Sequence, residues 1–168
     1  MDEEIKIVKA NINDLDGVLG IYKYYVENTE ACFDEVTPDT QKIINLLNFI
    51  KSKRLPYYVA KINDKVIGYC YATQYRRRSA YKYTVESSIY IDTRYTGKGV
   101  ARKLFDKVHQ DVKDEGFKQI VAVVVDHKNN HASKKFHKAM GFTEQGRLKK
   151  VGYKFDQWLD IILFQKEV

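Results

Sequence analysis

Residues 4–10 (EIKIVKA) alternate apolar and polar side chains, the period-two pattern of a half-buried strand. The period then lengthens. Leu15, Val18, Leu19, Tyr22 and Val26 recur at helical spacing, with Asn13 placed to cap the helix. Thr37 as N-cap and Pro38 in the first turn predict a second helix, whose buried stripe is Ile43, Leu46, Leu47 and Ile50. Two strands come next, YYVAKI (57–62) and KVIGYCYATQY (65–75), joined by Asn63-Asp64, a dipeptide suited to a tight hairpin turn. A third strand, YTVESSIYIDT (83–93), comes after Arg76-Arg77-Arg78, and the three read as an antiparallel meander.

After Gly99 the pattern changes. VARKLFDKVHQDVKDEG puts Val100, Leu104, Val108 and Val112 on one helical face, with Gly116 as the C-terminal cap. The β-branched run IVAVVV (120–125) is typical of a strand buried on both faces. Strand, glycine turn, helix and buried strand together predict a right-handed β-α-β crossover with parallel strands. A short helix over 132–140 ends at Gly141, and two last strands cover 142–148 and 157–166. The expected fold class is α/β or α+β with a mixed sheet.

Composition narrows the class without choosing a function. The chain has 168 residues, a length suited to one domain over residues 1–168, and no repeat or linker interrupts it. Thirteen tyrosines and eight phenylalanines make rings a large part of the expected core. The net charge of +7 favours an anionic partner, whether nucleic acid, membrane surface or polyphosphate cofactor. A nucleic-acid role is disfavoured because the basic residues are scattered and no recognition motif is present. Cys32 and Cys70, with no Cys/His cluster, argue against a disulfide framework or a metal site. His127 and His131 make no convincing metal set either. No signal-like start or apolar span stands out, so the expected compartment is the cytoplasm, with no membrane partner.

The chemistry centres on Gly97-Lys98-Gly99-Val100-Ala101-Arg102. A helix N-terminus carries unpaired N–H groups and partial positive charge, and glycines before it let an anion approach closely. Lys98 and Arg102 add charge there. Taken alone, the pattern leaves anion binding and a plain turn equally open. It is neither the dinucleotide fingerprint nor a Walker A loop, since the third glycine and the Gly-Lys-Ser/Thr ending are absent.

In this setting the chain resembles the GNAT superfamily of acyl-CoA N-acyltransferases, whose signature is Gln/Arg-x-x-Gly-x-Gly/Ala between a strand and a helix. Here Gly99 and Ala101 match, while Thr96 replaces the usual Gln or Arg. The segments TVESSIYIDTRYTGKGVARKL, KNNHASKKFHKAMGF and VGYKFDQWLDIILFQ, with the early ACFDE, look like the phosphinothricin and methionine sulfone/sulfoximine acetyltransferases. The resemblance implies the GNAT fold, a splayed, mostly antiparallel mixed sheet flanked by helices. It also implies acetyl-CoA as cosubstrate, no metal, a small-molecule amine acceptor and a homodimer.

Roles can be assigned residue by residue. The resemblance puts Ile89, Tyr90 and Ile91 on the strand that pairs with the pantetheine arm, an amide chain that binds as an added strand would. Glu86, just upstream, is the expected general base, because an amine must lose a proton before it attacks. His137 matches a histidine of close relatives. Proton transfer, protonation of the departing thiolate and a packing role all remain open for it. Asn130 corresponds to a cofactor-contacting Asn, with helix capping the alternative. Phe33 walls the acceptor pocket, and Arg76, Arg77, Arg78, Tyr81 and Tyr83 lie where close relatives contact substrate. Neighbouring arginines point apart, so not all can face one pocket. Lys154, Phe155 and Trp158 resemble the family's KF-x-x-W-x-D segment, for which the resemblance leaves packing and pocket closure both open. A non-catalytic acyl-CoA-binding module, or an enzyme acting on polyamines or protein amines, is the alternative.

Overall fold

The computed structural model describes residues 4–168; the expected domain start at residue 1 lies outside the described residues. Seven strands form one sheet in the order β1-β2-β3-β4-β5-β7-β6. They are β1 (Lys6–Lys9), β2 (Tyr57–Ile62), β3 (Lys65–Gln74), β4 (Thr84–Ile91), β5 (Gln119–Asp126), β6 (Thr143–Lys154) and β7 (Gln157–Glu167). Four helices flank it: α1 (Leu15–Asn28), α2 (Thr40–Ser52), α3 (Val100–Asp114) and α4 (His131–Ala139).

The expected meander is present, with β2, β3 and β4 paired antiparallel. Asn63 and Asp64 both have positive φ (47° and 63°), the tight hairpin geometry that these short polar residues tolerate. The crossover through α3 makes β4 and β5 parallel, as expected. Parallel pairing covers only Thr84–Glu86 against Gln119–Val121, however, while β3 pairs with β4 from Val85 through Ile91. Beyond Glu86 the two strands part, and the sheet splays into a wedge.

Successive residues of β4 point to opposite faces. Tyr90 packs on α1, its ring centroid 5.2 Å from Tyr22 and 5.1 Å from Tyr25. Ile91 points the other way, beside Leu104 of α3; both would crowd a Cβ built on Gly68. On the α1 side, Tyr57, Tyr69, Tyr71 and Tyr90 form a chain of ring contacts. On the other side Val100, Leu104, Val108 and Val112 are buried, matching the predicted stripe. Phe105, Phe136 and Phe142 then join α3 to α4.

Four local expectations are corrected. Asp39, not Thr37, caps α2 through the Lys42 N–H, and the Thr37 hydroxyl finds no partner among the described residues. Asn11, not Asn13, opens the α1 segment: it caps a short 3-10 turn at Ile12–Asp14 that leads into the helix. In both places the competing side chain lies two residues away, a choice that backbone geometry makes. Strand β6 runs on to Lys154, past a bulge between Leu148 and Gly152 that hides the alternation. Finally, β5 is not covered throughout. Val123 is 41% exposed because the wedge opens beside it.

Candidate active site

The wedge continues into a cleft of about 1100 Å³ bounded by β4, β5, α4, the N-terminus of α3 and the segment after α1. Its floor is the open edge of β4, Ser87–Ile91, whose backbone on this side is not paired with β5. An unpaired strand edge can take an extended amide chain. Ile89, Tyr90 and Ile91 all line the cleft, and the Ile91 carbonyl also accepts the Tyr25 hydroxyl at 2.5 Å.

At one end stands the glycine turn. Gly97 and Gly99 have φ of 73° and 78°, a region that disfavours side chains. A Cβ at either would meet nothing within 4 Å, so open space lies before the first turn of α3. Orphan N–H groups beside open space suit an anion, which is the fit a CoA pyrophosphate requires. Gly97, Gly99, Val100, Ala101 and Arg102 line the cleft; Val100 is buried and offers only its backbone. Lys98 lies outside the lining, with Nζ 5.2 Å from the Tyr95 ring centroid. Thr96 spends its hydroxyl on the turn, donating to the Thr93 carbonyl at 3.0 Å. Arg94 is committed to Asp92 through Nε at 3.0 Å and Nη2 at 2.5 Å.

Glu86 closes the wedge at the last paired residue of β4 and lines the cleft. Burial pushes its carboxyl above the ordinary value, and the nearby Arg76 guanidinium partly opposes the rise. A carboxylate so placed is a better base than a solvated one. Asp34, which also lines the cleft, accepts the Tyr22 hydroxyl at 2.5 Å. Its charge and that of Glu86 both reach Tyr71, whose phenol burial raises first. Asp34 and Tyr22 therefore share this wall. The alternation pattern gave no sign of it, because the 29–39 segment has no regular element.

His137 faces the cleft from α4 but is only 5% exposed, between Phe142 and Phe164. Burial lowers its pKa and favours the neutral ring. Its Nδ1 lies 2.8 Å from the Ser133 carbonyl, which can only accept, so Nδ1 carries the proton and Nε2 keeps a lone pair. Asn130 precedes α4 without a side-chain cap bond; its Nδ2 donates to the Val125 carbonyl at 2.9 Å, tying α4 to the end of β5. Cys70 is fully buried with its thiol pKa raised, so a thiolate nucleophile is disfavoured there.

Of the expected acceptor residues, Phe33 lines the cleft, while Arg76, Arg78, Tyr81 and Tyr83 do not. The chain leaves β3 after Gln74 as an exposed loop, and Arg76 lies over Tyr75 and Tyr81, its Cζ 5.2 and 6.0 Å from the ring centroids. Arg76 and Arg77 border a separate shallow cavity with Phe49 and Lys53. Only Arg76 acts on the cleft, through its field at Glu86. Among the described residues, no cluster of three potential metal ligands and no helix long and apolar enough to cross a membrane occurs.

The model for the acetyltransferase (GNAT) domain matches residues 7–163. A phosphinothricin N-acetyltransferase of Alcaligenes faecalis is 39% identical over 96% of this chain and 81% of its own length. An L-methionine sulfoximine/L-methionine sulfone acetyltransferase of Salmonella typhimurium is 31% identical over 95% and 92%. Among solved structures, an N-acetyltransferase from Staphylococcus aureus Mu50 superposes with a TM-score of 0.92 at 32% identity, covering 98% of each chain. A phosphinothricin acetyltransferase from Sinorhizobium meliloti in complex with acetyl-CoA also gives 0.92 at 32% identity, covering 98% of this chain and 88% of its own.

Proposed function

Because the chain belongs to the GNAT acetyltransferase family, we propose that it transfers an acetyl group from acetyl-CoA to the α-amine of a small amino-acid analogue. Acceptors of the phosphinothricin and methionine sulfone/sulfoximine type fit the named relatives. The observation that carries this reading is the wedge itself. A half-buried carboxylate stands where β4 and β5 part, an open strand edge lies beyond it, and a glycine-lined helix N-terminus ends it.

Acetyl-CoA supplies an activated thioester. The α3 N-terminus with Arg102 holds its pyrophosphate, the β4 edge holds its amide arm, and Asn130 fixes the adjoining start of α4. Glu86 takes one proton from the acceptor ammonium, directly or through one water, and the freed nitrogen attacks the thioester carbonyl within a ternary complex, breaking the carbon–sulfur bond and releasing CoA as its thiolate. Backbone N–H groups along the β4 edge provide donors for the carbonyl oxygen as charge develops. His137, neutral with its lone pair at Nε2, takes the second proton that the attacking nitrogen sheds and hands it to the departing thiolate. Arg76, in the loop before β4, bears on the acceptor site through its field at Glu86, while Arg78, Tyr81 and Tyr83 stay outside the cleft. Residues 1–168 act as one domain, in the cytoplasm. Two copies associate through the apolar outer residues of β6 and β7, where Leu148, Val151, Tyr153 and Trp158 are 46–64% exposed. Light scattering should give twice the 19.7 kDa chain mass.

The test measures thiol release from acetyl-CoA with phosphinothricin, methionine sulfone, methionine sulfoximine, a polyamine and a lysine peptide. Turnover of an amino-acid analogue is expected. Thermal stabilisation by acetyl-CoA without turnover of any amine would mean a binding module instead.

A further inference from the structure

The hairpin formed by β6 and β7 touches the segment carrying Phe33 and Asp34 in three separate ways. Lys154 reaches inward, and its Nζ donates to the Cys32 carbonyl at 2.9 Å. That side chain is 2% exposed. No carboxylate pairs with it among the described residues; Cys32 Sγ lies 3.8 Å away and the Phe155 ring centroid 5.0 Å. Gln157 Nε2 donates to Glu30 at 3.2 Å. At Gly152, a Cβ would overlap three ring carbons of Phe33, so the ring rests on bare backbone.

A buried ammonium held chiefly by one carbonyl is a costly way to secure a hairpin, since an apolar side chain of similar length packs there more favourably. What the ammonium fixes is the position of the Cys32 carbonyl. Directly beyond it, Phe33 and Asp34 line the same cleft as Glu86, and the Asp34 and Glu86 carboxylates both act on Tyr71. The glycine turn and the β4 edge make none of these three contacts.

We infer that Lys154 is a positioning residue for the acceptor, holding the Cys32–Asp34 segment so that Phe33 and Asp34 set which amine fits against Glu86. The inference rests on the acetyl-transfer reading above. It assigns the selectivity of that site to a hairpin at the far edge of the sheet.

The experiment uses the full chain with acetyl-CoA and, in turn, methionine sulfone and phosphinothricin. Lys154→Met should raise the acceptor KM at least tenfold, while the acetyl-CoA Kd measured by calorimetry stays within twofold. An unchanged acceptor KM, or an acetyl-CoA Kd that weakens in parallel, would overturn the inference. If Lys154→Met fails to fold, a Gly152→Ala cycle replaces it. Gly152→Ala should raise the acceptor KM when Phe33 is present and have no further effect in Phe33→Ala; equal effects in both backgrounds overturn it. Hydrogen exchange separates the inference from the functional reading. Faster exchange of amides 30–34 in Lys154→Met, with the wild type inert toward every amine, keeps the anchoring and rejects acetyl transfer. Unchanged exchange with an active wild type rejects the anchoring.

Discussion

Glu86 is asked to be both partly buried and ionised. Burial holds its pKa above the ordinary value, so the native state binds its proton more tightly than the unfolded chain does. Its contribution to stability is then fullest at low pH and is lost as pH rises through the folded pKa. Glu86→Gln should therefore melt at an equal or higher temperature than the wild type at pH 8, while kcat falls by about 10²–10⁴-fold, the usual contribution of a general base. A loss of both activity and thermal stability would argue for a structural carboxylate. The acid limb of kcat/KM should lie above the ordinary glutamate pKa of about 4.3. Arg76→Ala should move that limb higher still, because the guanidinium opposes the rise; a pH–rate profile of the variant reads this directly. His137→Phe keeps the aromatic packing and removes Nε2, and should cost less than Glu86→Gln in the same assay. The place of Glu86 on a regular strand ahead of the glycine turn was legible in the sequence, while its role as base came from the family resemblance. Asp34 and Lys154 were not legible as a site, since they lie 120 positions apart and only folding brings their segments together.

At the scale of elements, the glycine turn and α3 form one device. Gly99 occupies the N-cap with left-handed backbone and no neighbour near its absent Cβ. Gly99→Ala therefore acts through conformation, not crowding, and should cost roughly 1–2 kcal/mol, the penalty of left-handed backbone for an L-residue. Calorimetry should show acetyl-CoA binding weakened about tenfold, the equivalent of about 1.4 kcal/mol. Gly20, exposed in the middle of α1 with nothing within 4 Å, is the opposite case. Gly20→Ala should stabilise the protein by about 0.5–1 kcal/mol, with no change in turnover. Period and turn chemistry predicted the type and order of the elements. Their ends were less legible, as at Asp39 and Asn11, because several capping residues stand close together and the chain's exit angle selects one.

At the scale of the whole molecule, the sheet's failure to close creates the cleft. Three parallel residue pairs join β4 to β5, and beyond them the pairing stops and the cleft of about 1100 Å³ opens. A cosubstrate that fills such a gap stabilises the native state by mass action. Acetyl-CoA at about 100 times its Kd should add about 2.7 kcal/mol, which for a domain of this size raises the melting temperature by about 5–10 °C. A thermal shift measured against acetyl-CoA concentration checks it. Phosphate-free pantetheine should give less, since it leaves the α3 N-terminus without its anion.

Sequence by itself determined the strand-turn-helix-strand order, the α3 stripe, the glycine turn and the place of Glu86 on the strand ahead of it. All of these are set by spacing between near neighbours along the chain, where period and propensity act. The splay after Glu86, the exposure of Val123, the neutral state of His137 and the seating of Phe33 on Gly152 were decided by tertiary structure. Each depends on how far apart distant segments lie and on how much water remains between them, quantities that no local pattern carries.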